Sequence, residues 1–544
     1  MKLATRILLI AAVLLLALPA AATYAQSDAT TVTTAFAENQ PNTLDPAAAA
    51  LGDEFLVLRN VAEGLVTYDP KTLKPIPALA ESWTVSDDGL VYTFKLRSGV
   101  TFQDGSTLDA KDVKYSLDRL ARRETGTSYT AGLVLSAVVG WADVRPPAPP
   151  AVGEGTPTPE PPKAADSLSG VAIVDDMTVS ITLKAPQSAF LNRLTLPGAF
   201  IIPEGAGEAE GFAQKPIGSG PYKVAEFTPQ QQVVLEANDS YWGGAPEVKK
   251  VVIRVIPEQS VQVVEFEAGN LDIVVVPESD LPRIRGDEKL KTELVEIPTL
   301  SLFNLRVNLN DPQLKDARVR RALAMAIDRQ TIIDTVLQGQ GVPANGLYPP
   351  GLSAYDPSFA PLAYNPEGAK ALLAEAGYPN GITIELRTGQ IETERRVLAA
   401  IQQTAVAAGI TINVNATEKS LYDADRTKCT MQAGTVAWGL DYPDPENVAQ
   451  LVIAGSSTTR INCGYGTYEK AKDVEKLYAE AVASPLGDAR DALFRQLQEI
   501  AVGEQATLIP IYHGLSTSLV NARLGGTPID NNGTRQFALI KLNK

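Results

Sequence analysis

The sequence predicts a mixed α/β protein of about three domains. Short apolar, β-branched runs such as Val233 to Leu235, Val251 to Ile256 and Leu271 to Val276 are separated by loop residues, as strands are. Between such runs, other stretches carry apolar residues three or four apart behind a capping residue, as helices do. The length of 544 residues, at roughly 150 per domain, is too great for a single core.

The elements can be justified in chain order. Lys2 and Arg6 precede the apolar run Ile7 to Leu18, which Pro19 breaks and the small residues up to Ala25 end. That is the layout of a secretory signal peptide over residues 1–25, cut after Ala25 or Ala22. A run of twelve apolar residues is too short for a membrane-spanning helix, which needs about 20. No cysteine follows it, so the lipid anchor of many exported bacterial proteins has no attachment point. The expected product is exported and soluble, periplasmic or extracellular.

Next, Val91 to Arg97 and Thr178 to Leu183 alternate as partners in one sheet, with Tyr92, Phe94 and Leu96 on one face and Val179, Ile181 and Leu183 likewise. Ser86-Asp-Asp-Gly89 reads as a tight turn before the first of them, since it lacks the spaced ligands of a calcium loop. Asp109 caps a helix whose Val113, Leu117 and Leu120 share a face. The tract Val144 to Ala165, VRPPAPPAVGEGTPTPEPPKAA, cannot build a core and reads as a disordered surface insertion. Asp316 opens a helix with Val319, Leu323 and Ile327 one turn apart, closed by Gly339. Another helix starts at Asn365-Pro366 and stops at Gly377. Val474 to Ala483 and Arg490 to Gly503 form two more, split at Pro485.

Charge and composition exclude several functions. The formal charge is 48 − 63 = −15, against the basic footprint that a nucleic-acid partner needs. The single histidine, His513, excludes HExxH zinc chemistry and any multi-histidine metal centre. In its apolar setting, Leu508-Ile-Pro-Ile-Tyr-His513, it reads as a structural residue. Gly339-Gln-Gly-Val-Pro-Ala344 fits the dinucleotide fingerprint only formally, because Pro343 stands where the helix should begin. There is no P-loop and no nucleophile elbow, and no pattern singles out a catalytic pair among the 63 acidic residues. A pair of catalytic carboxylates, as in a glycosidase, stays open on these residues alone. Cys429 and Cys463, the only two cysteines of an exported chain, are expected to form one disulfide; two buried free thiols are the other reading.

A series of short segments runs along nearly the whole chain. It begins with Asn42-Thr-Leu-Asp-Pro46, Ala62-Glu-Gly-Leu-Val66, Pro77-Ala-Leu-Ala-Glu-Ser-Trp83 and Phe102-Gln-Asp-Gly105. It continues with Pro216-Ile-Gly-Ser-Gly-Pro-Tyr222, Asn238-Asp-Ser-Tyr-Trp242 and Ala268-Gly-Asn-Leu-Asp272. Asp316-Ala-Arg-Val-Arg-Arg-Ala-Leu323, Ala374-Glu-Ala-Gly-Tyr378 and Trp438-Gly-Leu-Asp-Tyr-Pro-Asp-Pro445 complete it. In this order, over roughly residues 32–540, they resemble the family 5 extracellular solute-binding proteins, which serve ABC importers of peptides, nickel and related solutes.

The resemblance implies a two-lobed periplasmic-binding-protein-like fold with an additional third domain. Lobe I would comprise 26–52, 196–278 and 510–544, the extra domain 53–195 with the proline-rich insertion 144–165, and lobe II 279–509. Hinge strands would lie near Asp272 to Pro277 and Leu508 to Tyr512. The implied function is capture of a peptide by closure of the lobes and delivery to membrane permease subunits, by a monomer that is not an enzyme and has no cofactor and no metal. The alternatives are the same fold holding an oligosaccharide, an opine-like solute or a metal chelate, and a secreted hydrolase.

By the same resemblance, Asp441 matches an aspartate that holds a peptide's α-ammonium, and Gly439 and Leu440 would offer backbone groups to an extended ligand. The other reading of Asp441 is that it shapes the Tyr442-Pro-Asp-Pro445 turn. Trp438 either stacks on ligand or joins the core. Phe303, Tyr512 and Asn39 are further candidates from their places near the cleft edges and hinge. Thr435 stands where certain oligopeptide binders carry an arginine.

Overall fold

In the computed structural model of the protein, residues 28–36, 40–146, 163–455 and 457–543 are described. The expected signal segment 1–25, Asn39, and positions 147–162 of the proline-rich tract lie outside them.

After β1 (Thr31–Ala35) comes a hairpin of β2 (Val66–Tyr68) and β3 (Pro75–Pro77). A four-stranded antiparallel sheet follows, in the order β4 (Ala80–Val85), β5 (Val91–Leu96), β7 (Thr178–Thr182), β6 (Val171–Asp175). The two alternating segments read from the sequence are thus direct neighbours, with Tyr92 opposite Ile181 and Phe94 opposite Val179. Their apolar face covers the helix Ala110–Ala121, where Val113, Leu117 and Leu120 are fully buried. Asp109 caps that helix by accepting from the backbone of Lys111 and Asp112. Ser86-Asp-Asp-Gly89 is the β4–β5 turn: Asp88 accepts from Ser86 Oγ and from Leu90 N, and Gly89 takes φ +70°. At the start of the proline-rich tract, Val144 belongs to a helical turn, Trp141–Val144.

The remaining long strands form one twelve-stranded sheet. One half contains β8 (Tyr222–Thr228), β9 (Gln232–Ala237), β10 (Lys250–Arg254), β1 and β11 (Ile273–Val275), with β12 (Leu294–Pro298) alongside. The other contains β13 (Ser301–Val307), β14 (Gly341–Pro343), β15 (Ile382–Thr388), β16 (Ile410–Ala416) and β17 (Ala433–Gly439). A single long strand, β18 (Leu508–Val520), joins them. Its first part pairs with β13 and its last with β11 and β12. Both ends of β18 are buried, whereas Tyr512 and Gly514 to Ser516 are half-exposed, where the strand passes between the halves. A short pair, β19 (Leu524–Gly526) and β20 (Ile540–Leu542), ends the chain.

Each half has its own core. Around β15 and β16, Ile382, Ile384, Leu386, Ile410 and Ile412 alternate inward against helices Pro366–Glu375 and Glu392–Ala405. Asn365 caps the first of these helices and Gly377 follows it at φ +95°, as the sequence predicts. The single helix expected from Asp316 to Gly339 is instead two, Ala317–Met325 and Arg329–Thr335. The carboxylate of Asp328 accepts from Thr331 N and caps a new helix there. Cys429 and Cys463 are joined by a disulfide, with Cα atoms 5.3 Å apart. No helix among the described residues is long and apolar enough to cross a membrane.

Candidate ligand-binding cleft

The cleft is built on the antiparallel pair β13 and β17. Their register sets Ser301 opposite Gly439, Phe303 opposite Ala437 and Leu305 opposite Thr435, so these six residues share one face. On the next strand Tyr512 lies opposite Phe303, and the two rings stack with centroids 4.9 Å apart. On its other side, β17 pairs with β15 only at Ala433 and Gly434. Beyond Gly434, no strand among the described residues flanks the outer edge of β17, and Ala437 and Gly439 are exposed. Thr435 O accepts from the Tyr422 hydroxyl, and the edge from Val436 to Gly439 can hydrogen-bond to an extended chain.

Asp441 lies just past the end of this edge. Leu440 N donates to Leu300 O at 2.8 Å, which holds the turn against β13. Asp441 Oδ2 accepts from the amide of buried Asn447 at 3.1 Å, and Asn447 Oδ1 accepts from the Trp438 indole at 2.9 Å. Asp441 Oδ1 accepts from the Tyr129 hydroxyl at 2.5 Å. Tyr129 comes from the helix Ser128–Leu135, whose Ala131, Val134 and Leu135 join the same core as the four-stranded sheet. Burial, with the adjacent carboxylate, pushes its phenol above the usual range, so it stays a donor.

A cavity of about 590 Å³ opens beside this carboxylate, with Leu300, Ser301, Gly439 and Asp441 on one wall and Phe55, Arg59 and Arg535 on the other. Arg535 donates to Thr34 Oγ1 and Ala35 O, and burial lowers its guanidinium to about 10. Arg59 donates to Thr195 O and lies over the Tyr68 ring. At the opposite end of the β17 edge, Glu394 Oε2 accepts from Thr435 Oγ1 at 2.7 Å and from the Thr388 hydroxyl.

Gly439, Leu440 and Asp441 therefore line the cleft together. Trp438 points to the opposite face and packs against the core around Val448 and Leu451. Phe303 is 4% exposed and forms the margin of the core under the floor. Tyr512 lines a separate hollow of about 410 Å³ at the crossing strand, with Glu278, Gln340 and Ser516. Tyr129, Asn447 and Glu394 were not legible as site residues. Asn447 follows the Asp-Pro-Glu run of the Asp441 segment, which was its only signal; Tyr129 lies 312 residues from its partner.

His513 is buried, and its Nδ1 donates to Ser301 O at 2.9 Å. Burial lowers its pKa from 6.5 to about 4, so the ring is neutral at pH 7. Among the described residues, no group of three or more His, Cys, Asp or Glu is placed to hold a metal ion.

The family profile of bacterial extracellular solute-binding proteins, family 5 (middle), matches residues 74–459. The chain is 29% identical over 498 residues to the dipeptide-binding protein of Escherichia coli (strain K12), covering 88% of each. It is 30% identical over 479 residues to the glutathione-binding protein GsiB of Salmonella paratyphi A, covering 86% of each. Its backbone matches the solved structure of HbpA2 from Haemophilus parasuis with a TM-score of 0.81, at 27% identity, covering 94% of this chain and 100% of that one. By that profile and that identity, the chain belongs to the family 5 bacterial extracellular solute-binding proteins.

Proposed function

We propose that this protein is an exported binding protein that captures short peptides in the cleft beside β17 and delivers them to the permease of an ABC importer. The observation that carries the reading is the open edge from Val436 to Gly439, which ends at the carboxylate of Asp441. An extended peptide added to this edge satisfies its main-chain groups there, and its α-ammonium meets an acceptor at the end. The half-buried Asp441 already accepts two hydrogen bonds and has lone pairs left for an ammonium. Relatives whose names record dipeptide and glutathione binding support the same solute class.

In this reading the two halves of the large sheet are the lobes, with boundaries at 26–52, 196–278 and 510–544 for one and 279–509 for the other, except that β12, within 279–509, pairs in the first half. Residues 53–195 are the additional domain, and β18 is a strand about which the lobes close. The protein works as a monomer after removal of residues 1–25, makes and breaks no bond, and has no nucleic-acid partner. Native mass spectrometry of the chain from Gln26, purified without denaturation, tests this. A ladder of bound masses matching short peptides is expected. A single non-peptide mass would overturn the peptide reading.

A further inference from the structure

We infer that the ligand carries a cationic group at its carboxyl-terminal end, held by Glu394. This rests on the peptide reading above. A peptide with its ammonium at Asp441 and its backbone along β17 runs antiparallel to that strand and pairs no further than Val436, because the Tyr422 hydroxyl already donates to Thr435 O; its last side chain points on toward Thr435. From Asp441 back to Thr435 is 441 − 435 = 6 positions, or about 20 Å at the rise of a strand. A peptide of about four residues with a long last side chain spans it. The floor between is open, because Ala437 and Gly439 are exposed and bring little or no side chain.

Glu394 stands at the far end. Both of its hydrogen bonds go to Oε2, from the Thr388 and Thr435 hydroxyls; Oε1 has no partner among the described residues and is not buried. The neighbouring cations are taken. Arg396 pairs with Glu278 at 2.6 Å, Arg387 with Asp425 at 2.8 Å, and Arg395 with Glu392. Arg306 lies on the opposite face of β13, toward Cys429 and Met431. A peptide ending in a neutral or acidic residue would bring its terminal carboxylate toward Glu394 with nothing to offset it. A lysine or arginine side chain offsets that carboxylate and forms a charge-assisted bond with the free oxygen.

The test is calorimetry with trialanyl-lysine, trialanyl-norleucine and trialanyl-glutamate. The lysine peptide should bind about tenfold or more tightly than its norleucine counterpart, with the glutamate peptide weakest. In Glu394→Gln the lysine advantage should fall below about threefold. Equal affinities in the unmodified protein would overturn the inference while leaving the peptide reading intact, and that ranking needs no variant to fold. An advantage that survives E394Q unchanged would also overturn it. Failure of all three peptides to bind would overturn the peptide reading itself.

Discussion

The Tyr129 hydroxyl donates to Asp441 Oδ1 at 2.5 Å, joining residues 312 apart in the chain. One partner rides on the four-stranded unit and the other on the turn after β17. The carboxylate is therefore aimed from two sides, by Tyr129 and by Asn447.

Asp441→Asn should weaken binding of peptides with a free amino terminus by roughly 2–5 kcal/mol, the usual cost of truncating one side of a desolvated charge pair. Binding of the N-acetylated peptide should change little. Calorimetry on both ligands checks this, and an equal loss for the two would remove Asp441 from ammonium recognition.

Tyr129→Phe should weaken the same peptides less, by about 1 kcal/mol, because the hydroxyl is partly exposed. The phenol positions Asp441, while the ammonium adds a further donor to the carboxylate. Tighter binding in Y129F would mean that the hydroxyl competes with the ligand.

Glu446→Gln should destabilise the fold by about 3 kcal/mol. Arg193 Nη2 lies 2.7 Å from Glu446 Oε1, and both side chains are largely buried where the four-stranded unit meets the helix Pro445–Ala449. Neutralising Glu446 leaves the arginine charge buried without its counterion, its Nη1 still donating to the neutral Leu133 carbonyl. Urea unfolding reads the change; a midpoint equal to that of the parent protein would refute it.

His513 should make the protein lose stability in mild acid. Its pKa is about 4 when folded and about 6.5 when unfolded, so below pH 6.5 the unfolded chain binds the additional proton. Its stabilising contribution is complete above pH 6.5 and declines as pH falls toward 4. The loss reaches about 2 kcal/mol at pH 5. Denaturant unfolding of the parent and of His513→Gln at pH 7 and pH 5 isolates the effect. Identical pH dependence in the two proteins would show that the buried ring does not titrate as described.

Local signals read well wherever one segment carried the whole instruction. Asp109 and Asn365 cap helices because their own side chains reach the first free backbone N–H groups. The β5 and β7 segments pair because both alternate with period two over one buried face. Asp328 shows the limit: the apolar spacing of Val319, Leu323 and Ile327 runs on past the break, so periodicity hides the restart.

Residue order was enough to identify the family and the alternating strands and helices, since many weak segments in one order specify what none does alone. With only two cysteines in the chain, one intramolecular bridge was also foreseeable. The cleft needed the folded chain. Whether the edge of β17 stays open depends on β15 ending its pairing at Gly434, and whether Asp441 meets Tyr129 depends on how two separate cores pack. Such contacts join segments hundreds of residues apart. They are set by the packing of whole layers, which no local pattern of side chains encodes.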